Sequence, residues 1–270
     1  MSKIVPRVFV RSVKRFILEL KILLWKSKAN SSHSLKPYSA RMLVVNDKRY
    51  CFFARVAVFS FLHFHPLATV TIYSDVKTKP FLRRYFRKEI SKGKVRIDEV
   101  PVPWNSWQEA KVIVIAEMTG LTDIFLDADV RFNGKLPEII NPTVFVKEFS
   151  LGEKEPFSFL NDLWIDLCPR GPRRMLNTTF IYRGASSTEN SKSLDLERFR
   201  KFELVLLNSI RKNNLKAPFD DQIWRLREQI FISLVMNSLE VEISSLKGQD
   251  SRLDGEFLES AYFGSTGLGY

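Results

Sequence analysis

A mostly parallel α/β sheet covered by helices is the architecture this sequence predicts, and two observations predict it. Short β-rich runs alternate with helical runs from residue 36 onward, and one β-rich run ends in two carboxylates, Asp127 and Asp129. A third feature, a basic amphipathic stretch at residues 1–28, predicts a helix ahead of that sheet.

The alternation passes through residues 41–45, 50–64, 69–73, 80–90, 95–100, 107–119 and 122–126. Strands that alternate with helices imply right-handed crossovers and a parallel sheet covered on both faces. Ligands of such sheets bind beyond the carboxyl ends of the strands. With 270 residues, 45% of them hydrophobic, the chain is long enough for one sizeable core. The expected organisation is a basic helix over 1–28, a polar linker over 29–35 and one catalytic domain over 36–270.

Charge narrows the partners. The chain carries 42 basic and 30 acidic residues, a formal net of +12, which favours an anionic partner. The first 28 residues hold eight basic side chains against Glu19 alone, over half of that excess. At about 100° per residue, Phe9, Val13, Phe16, Ile17, Leu20, Leu23 and Leu24 share one side of a helix, and Arg7, Arg11, Lys14, Arg15 and Lys21 the other. Leu18, Ile22 and Trp25 break the pattern. The uncharged run Ile22–Trp25 is far too short to span a bilayer, which needs roughly 20 apolar residues, and no cleavage site follows it. Residues 3–28 therefore suit an anionic membrane surface, and equally a helix packed on its own domain with a solvated basic face. A second basic cluster, Lys77 to Arg96, flanks a short apolar helix. Cys51 and Cys168 lie far apart in apolar surroundings and read as reduced thiols, so the expected location is cytoplasmic, peripheral on the cytoplasmic face of a membrane.

The chemistry is carried by Thr122-Asp123-Ile124-Phe125-Leu126-Asp127-Ala128-Asp129-Val130, an apolar strand running straight into two acids separated by one small residue. Residues i and i+2 of an extended chain point the same way. Two converging carboxylates repel unless a positive charge lies between them, and a hard divalent cation, Mn²⁺ or Mg²⁺, suits their oxygens. Such an ion keeps open positions that a diphosphate can fill.

With those residues in place, the chain resembles the nucleotide-diphospho-sugar transferases of the glycosyltransferase A fold, most closely the retaining group that includes glycogenin and the bacterial lipopolysaccharide galactosyltransferases. The similarity runs over about residues 40 to 240 in motif order. Val44-Val45-Asn46-Asp47-Lys48-Arg49-Tyr50 resembles the segment after the first strand that contacts the nucleotide base, implying that role for Asn46, Asp47 and Tyr50. Ser60 and Pro66 match the family's helix and following turn. Lys111 in Trp107-Gln108-Glu109-Ala110-Lys111 matches a basic residue near the donor, and Asp127, Ala128 and Asp129 match the metal and donor motif. Asn177 in Met175-Leu176-Asn177-Thr178-Thr179-Phe180 matches an asparagine that reaches the donor sugar, although Thr179 stands where the family has glycine. Phe219-Asp220-Asp221-Gln222-Ile223-Trp224 resembles the motif beside the anomeric carbon, implying catalytic roles for Asp221 and Gln222. Taken alone, Asp220 and Asp221 serve equally well as a helix start.

The family's C-terminal histidine, a third metal ligand, and its lysine have no counterpart in Glu259 to Tyr270, where only an aromatic and glycine outline remains; Asp250 or Asp254 are the acidic substitutes available. The resemblance implies metal-dependent transfer of a sugar from a nucleoside-diphosphate donor, a uridine one, to a glycan or lipid-linked acceptor hydroxyl, with retention of configuration. Inversion would need a general base, for which Asp220 or Asp221 are placed. A catalytically degenerate relative that binds membranes or anionic ligands is the alternative. A nucleotidyltransferase would bring a Gly-rich phosphate loop, and residues 36–70 have none. No nucleic-acid-binding signature is present, so nucleic acid is not an expected partner.

Overall fold

The computed structural model describes residues 16–24 apart from 18, 36–136 apart from 121 and 133, 147–149, 175–182 apart from 179, 195–238 apart from 217 and 218, and 258–260. In chain order, α1 (helical at 16–17 and 19–24) precedes β1 (Ser39–Val44), α2 (Arg49–Phe64), β2 (Thr69–Ser74), α3 (Lys79–Tyr85), α4 (Arg87–Ser91), β3 (Val95–Glu99), α5 (Trp107–Ala116) and β4 (Asp123–Leu126). Then come β5 (Val130–Phe132), β6 (Lys147–Phe149), β7 (Met175–Asn177), β8 (Phe180–Tyr182), α6 (Leu196–Lys212), α7 (Phe219–Arg225), α8 (Arg227–Ser238) and β9 (Leu258–Ser260).

Five strands form the main sheet in the order β3-β2-β1-β4-β8. The first four are parallel, with Met42 opposite both Ile72 and Leu126, and β8 is added antiparallel with Phe180 opposite Leu126. This is the mostly parallel, helix-flanked α/β architecture expected from the alternation.

Period-2 alternation divides the sheet between two hydrophobic clusters. Ala40, Met42, Val44, Ile124, Leu126, Phe180 and Tyr182 pack with α2 on one face. Phe125 and Ile181 pack with residues of α5, α6 and α8 on the other. Helix α2 is apolar nearly all round, and Phe52, Ala54, Val56 to Phe59 and Phe61 are buried along it. The helical run expected over 80–90 is instead two short helices, broken at Phe86, whose ring is fully buried beside Phe59. Helix α5 likewise stops at Ala116, short of Thr119.

The amphipathic N-terminal segment is docked on this body. Ile22 is fully buried in the α2-side cluster, and both carboxylate oxygens of Glu19 accept from Arg55 of α2, at 2.9 and 2.8 Å. Phe16, Ile17, Leu20 and Leu23 are exposed. Thus Ile22, an exception to the amphipathic pattern, is the residue that fixes the helix. Among the described residues no helix is long and apolar enough to cross a membrane. The linker 29–35 lies outside the described residues.

Two side chains of the α2 region pin the chain that leaves the sheet after Asp129. Ser60 Oγ accepts from the Phe132 N–H at 3.0 Å, and buried His65 Nε2 accepts from the Leu136 N–H at 3.2 Å. Removing one buried acceptor orphans its donor, at a cost of about 1–3 kcal/mol. Ser60→Ala is therefore expected to lower the unfolding free energy by that amount, read as a lower urea midpoint at unchanged m-value in equilibrium unfolding.

Candidate functional site

All four residues of β4 are buried, and the strand delivers Asp127, Ala128 and Asp129 to its carboxyl end. Its start is anchored by Asp123, whose Oδ2 accepts from the Thr119 and Gly120 N–H groups at 2.9 Å each and from Arg41 at 3.3 Å. Gly120 is required by this approach, since a Cβ there would meet Asp123 Oδ1 at 2.8 Å. By parallel register, Asn46 and Asp47 beyond β1 and Asp75 beyond β2 come to the same sheet edge as the acidic pair.

Lys111 meets this edge from α5. The helix starts at Ser106, whose side chain accepts from the Glu109 N–H at 3.2 Å, so Lys111 falls on the buried side with Ala110 and Val114. Its side chain is only 4% exposed; Nζ lies 2.8 Å from Asp127 Oδ1, 3.9 Å from Glu228 Oε1 and 5.3 Å from the Phe125 ring centroid. Burial opposes the ammonium, but Asp127 first and Glu228 next outweigh it, and the Lys111 pKa is raised.

The acids of the cluster respond in the opposite sense to burial. Desolvation, with repulsion from Asp127 second, pushes Asp129 up to about 6, against the pull of Lys111. Glu228, on α8, is pushed up to about 7 by burial, again against Lys111. Its Oε2 is buried with no hydrogen-bond partner among the described residues. The surrounding helices are clamped together by further ion pairs. Arg200 of α6 donates two 3.0 Å bonds to Glu109, and Arg227 of α8 reaches Glu203 at 2.5 Å, Gln108 at 3.0 Å and the Trp224 carbonyl at 2.7 Å.

The nucleotide-side candidates are held locally. Asn46 adopts φ +67°, and its N–H donates to Asp75 Oδ2 at 2.6 Å. Asp75 Oδ1 also accepts from the Lys77 and Thr78 N–H groups, and the Thr78 hydroxyl bonds the Val44 carbonyl at 2.7 Å. Asp47 is engaged with Arg49, through the backbone at 2.9 Å and Nε at 2.7 Å, which holds its carboxyl below the ordinary range. Tyr50 is exposed, edge-on to Phe53.

The structure thus brings together Lys111, Asp127, Ala128 and Asp129, with Asn46 and Asp47 at the same sheet edge. Asn177 ends β7, just before the turn into β8 beside Leu126; its side chain, like that of Gln222, lies outside the described residues. Asp221 is exposed on α7 and lines a cleft of about 730 Å³ with Asp220, Trp224, Arg211 and Lys216, to which none of Lys111, Asp127 or Asp129 contributes. Cys51 is a buried thiol pushed up to about 11, chiefly by desolvation. Cys168, Thr179, Asp250 and Asp254 lie outside the described residues. Among those described, no group of three or more His, Cys, Asp or Glu side chains is placed to hold a metal. The two hard carboxylates nevertheless fit Mg²⁺ or Mn²⁺, ions bound by one or two carboxylates together with substrate phosphate.

Glu228 is the residue the sequence reading missed. Its spacing to Phe231, Ile232 and Val235, all buried, places it on the apolar side of α8, which was the available signal. Asp75 and buried Thr178, whose hydroxyl lacks a partner among the described residues, were missed as well.

No protein-family model matches the chain, and no curated protein matches it. Among solved structures it is similar to the PaToxG glycosyltransferase, at 12% identity and TM-score 0.41 over 91% of this chain and 82% of that one. It is also similar to mouse xyloside xylosyltransferase 1 in its apo form, at 13% identity and TM-score 0.44 over 74% of this chain and 82% of that one. Likeness at this level says nothing about chemistry, which rests on the side chains described above.

Two substitutions test the buried cluster. Lys111→Met leaves Asp127 and Glu228 without their cation and is expected to cost about 3–5 kcal/mol in urea unfolding near neutral pH. For Glu228, the folded carboxyl takes up its proton near 7 and the unfolded one near 4.5. Between those values the folded chain holds an extra proton, so stability falls as pH rises through the window and is level above it. Glu228→Gln removes this dependence, and its stability relative to wild type is expected to rise between pH 5 and pH 8, measured by urea unfolding.

Proposed function

We propose that this chain is a glycosyltransferase of the A-type fold that transfers a sugar from a nucleoside-diphosphate donor, a uridine one, to an acceptor hydroxyl of a glycan or glycolipid. The observation that carries the reading is the acidic pair at the carboxyl end of a buried parallel strand, with a buried lysine locked against it. The order of motifs along the chain supports the same class.

In this reading Asp127 and Asp129 supply oxygen donors to Mn²⁺ or Mg²⁺, which when bound would offset the negative charge gathering on the departing nucleoside diphosphate. Lys111 fixes the Asp127 carboxylate and adds a positive charge next to it, and Glu228 fixes Lys111. The loop at Asn46, braced by Asp75 and Thr78, presents its backbone and the Tyr50 ring on the nucleotide side. Asn177, at the end of β7, serves the donor sugar in this assignment, and Asp221 and Gln222 serve the acceptor side, with retention of configuration proposed on the resemblance.

One further strand borders the segment after the acidic pair. In β9, Ser260 pairs with Val130, the residue after Asp129, and the strands run antiparallel. In this reading the glycines that follow in sequence, Gly264, Gly267 and Gly269, supply backbone N–H groups to phosphate in place of the family's lysine.

Calorimetric titration of UDP with Mn²⁺, and again with EDTA, tests the reading. Binding is expected with metal and is expected to weaken at least tenfold in EDTA or in Asp127→Ala/Asp129→Ala, about 1.4 kcal/mol or more. Absence of nucleoside-diphosphate binding in every condition would overturn the transferase and favour the degenerate, binding-only relative.

A further inference from the structure

The docked helix α1 has two separate apolar sides. Ile22 faces the body and is fully buried. Phe16, Ile17, Leu20 and Leu23 are respectively 64, 46, 45 and 58% exposed. Since Ile22 and the Glu19–Arg55 pair fix the rotation of α1, these four side chains cannot turn inward while that dock holds. An isolated exposed leucine means little, but a contiguous apolar row on a fixed helix marks a contact surface.

The charge beside this row indicates the occupant. Arg55, which holds Glu19, also lies over the Tyr85 ring at 5.2 Å and so links α1 to the C-terminal end of α3. There Arg83, Arg84, Arg87, Lys88 and Lys92 are all exposed, with Phe81 and Ile90 exposed among them. A second copy of a chain with formal charge +12 would bring like charges together across such a face. An acidic bilayer instead offers apolar depth for the row and negative headgroups for the arginines and lysines.

We infer that α1 and the α3–α4 cluster form one membrane-docking surface for an anionic lipid bilayer, with Phe16, Leu20 and Leu23 entering the headgroup boundary and Arg83, Arg84 and Arg87 contacting acidic headgroups. The surface lies on the α2 side of the sheet, is independent of the sugar-transfer reading, and stands or falls without it.

The test is co-sedimentation of the full chain with vesicles of phosphatidylcholine alone and of phosphatidylcholine with phosphatidylserine. Binding is expected only with the acidic lipid and is expected to weaken as salt rises. Leu20→Glu/Leu23→Glu, which alters exposed positions and leaves Ile22 and Glu19 in place, is expected to bind at least about tenfold more weakly. Arg83→Glu/Arg84→Glu/Arg87→Glu, far from Ile22, is expected to lose more than about tenfold, each basic group near the surface being worth about 1 kcal/mol. Leu204→Glu, at an exposed apolar position on α6, should bind as wild type does. The inference is overturned if wild type ignores acidic vesicles, or if both multiple variants bind undiminished. It is also overturned if sedimentation velocity shows a wild-type dimer that Leu20→Glu/Leu23→Glu dissociates, since a second copy would then be the occupant.

Discussion

The ammonium of Lys111, buried between Asp127 and Glu228, is the constraint on which the site depends. A lone charge at that depth would be neutralised or excluded, and Lys111 is paired, at 2.8 Å with Asp127 and at 3.9 Å with Glu228. Asp127 comes from the sheet and Glu228 from α8, so Lys111 ties α5 to both. The helices around it are joined by charged pairs of the same kind, Glu109 with Arg200 and Arg227 with Glu203 and Gln108. These pairs link α5 to α6 and α8 over an otherwise apolar interface, where Phe199 stacks on Phe202 and both rings contact Phe231 edge-on or tilted. Apolar contact supplies area without direction. The buried charges add register, because a slip of either helix would strand an ion.

A similar rule of paired anchors governs the sheet edge. Before the acidic pair, β4 is held by β1 and β8 on its two sides and by Asp123 at its start. After it, β5 is held to α2 through Ser60, and Leu136 is held by His65 at the end of that helix. Two carboxylates that repel each other are thus kept converging by structure on either side of a three-residue segment. The neighbouring loop is built the same way, with Asp75 satisfying three backbone N–H groups and Thr78 closing on Val44. Because these anchors are backbone groups and short side chains, the edge can hold a fixed shape without a bound ligand.

Much of the fold was legible because strand alternation and sheet burial share the period of two. Met42 and Leu126 turn to α2 while Phe125 turns to α5 and α8, and each run of such residues stood out as a strand. The acidic pair was legible for a related reason, since an apolar run cannot end in two acids without something to hold them. Glu228 was illegible because an acid in the first turn of a helix is ordinarily explained by the helix dipole, and only the depth of its neighbours Phe231 and Ile232 distinguishes it. Lys111 had the same ambiguity with a solvated helix lysine until its burial was known. Ile22 reversed the expectation for α1: a residue that interrupts an amphipathic pattern marks a second face, here the one that packs. The relation of Asp221 to the acidic pair depends on where a loop sets α7 down, which spacing in sequence does not encode.

The charge balance around the site leads to one more step. Among the described residues, three carboxyl groups, Asp127, Asp129 and Glu228, face the single ammonium of Lys111, which touches Asp127 and stands off from Glu228. The Asp129 pKa is raised chiefly by desolvation and next by repulsion from Asp127, against the pull of Lys111. An anionic diphosphate brought to this edge on its own would deepen the shortage. In the proposed reading a divalent cation between Asp127 and Asp129 would offset it for the carboxylates and the phosphates together. A local shortage of positive charge of this kind would couple the binding of a cation to that of an anionic donor.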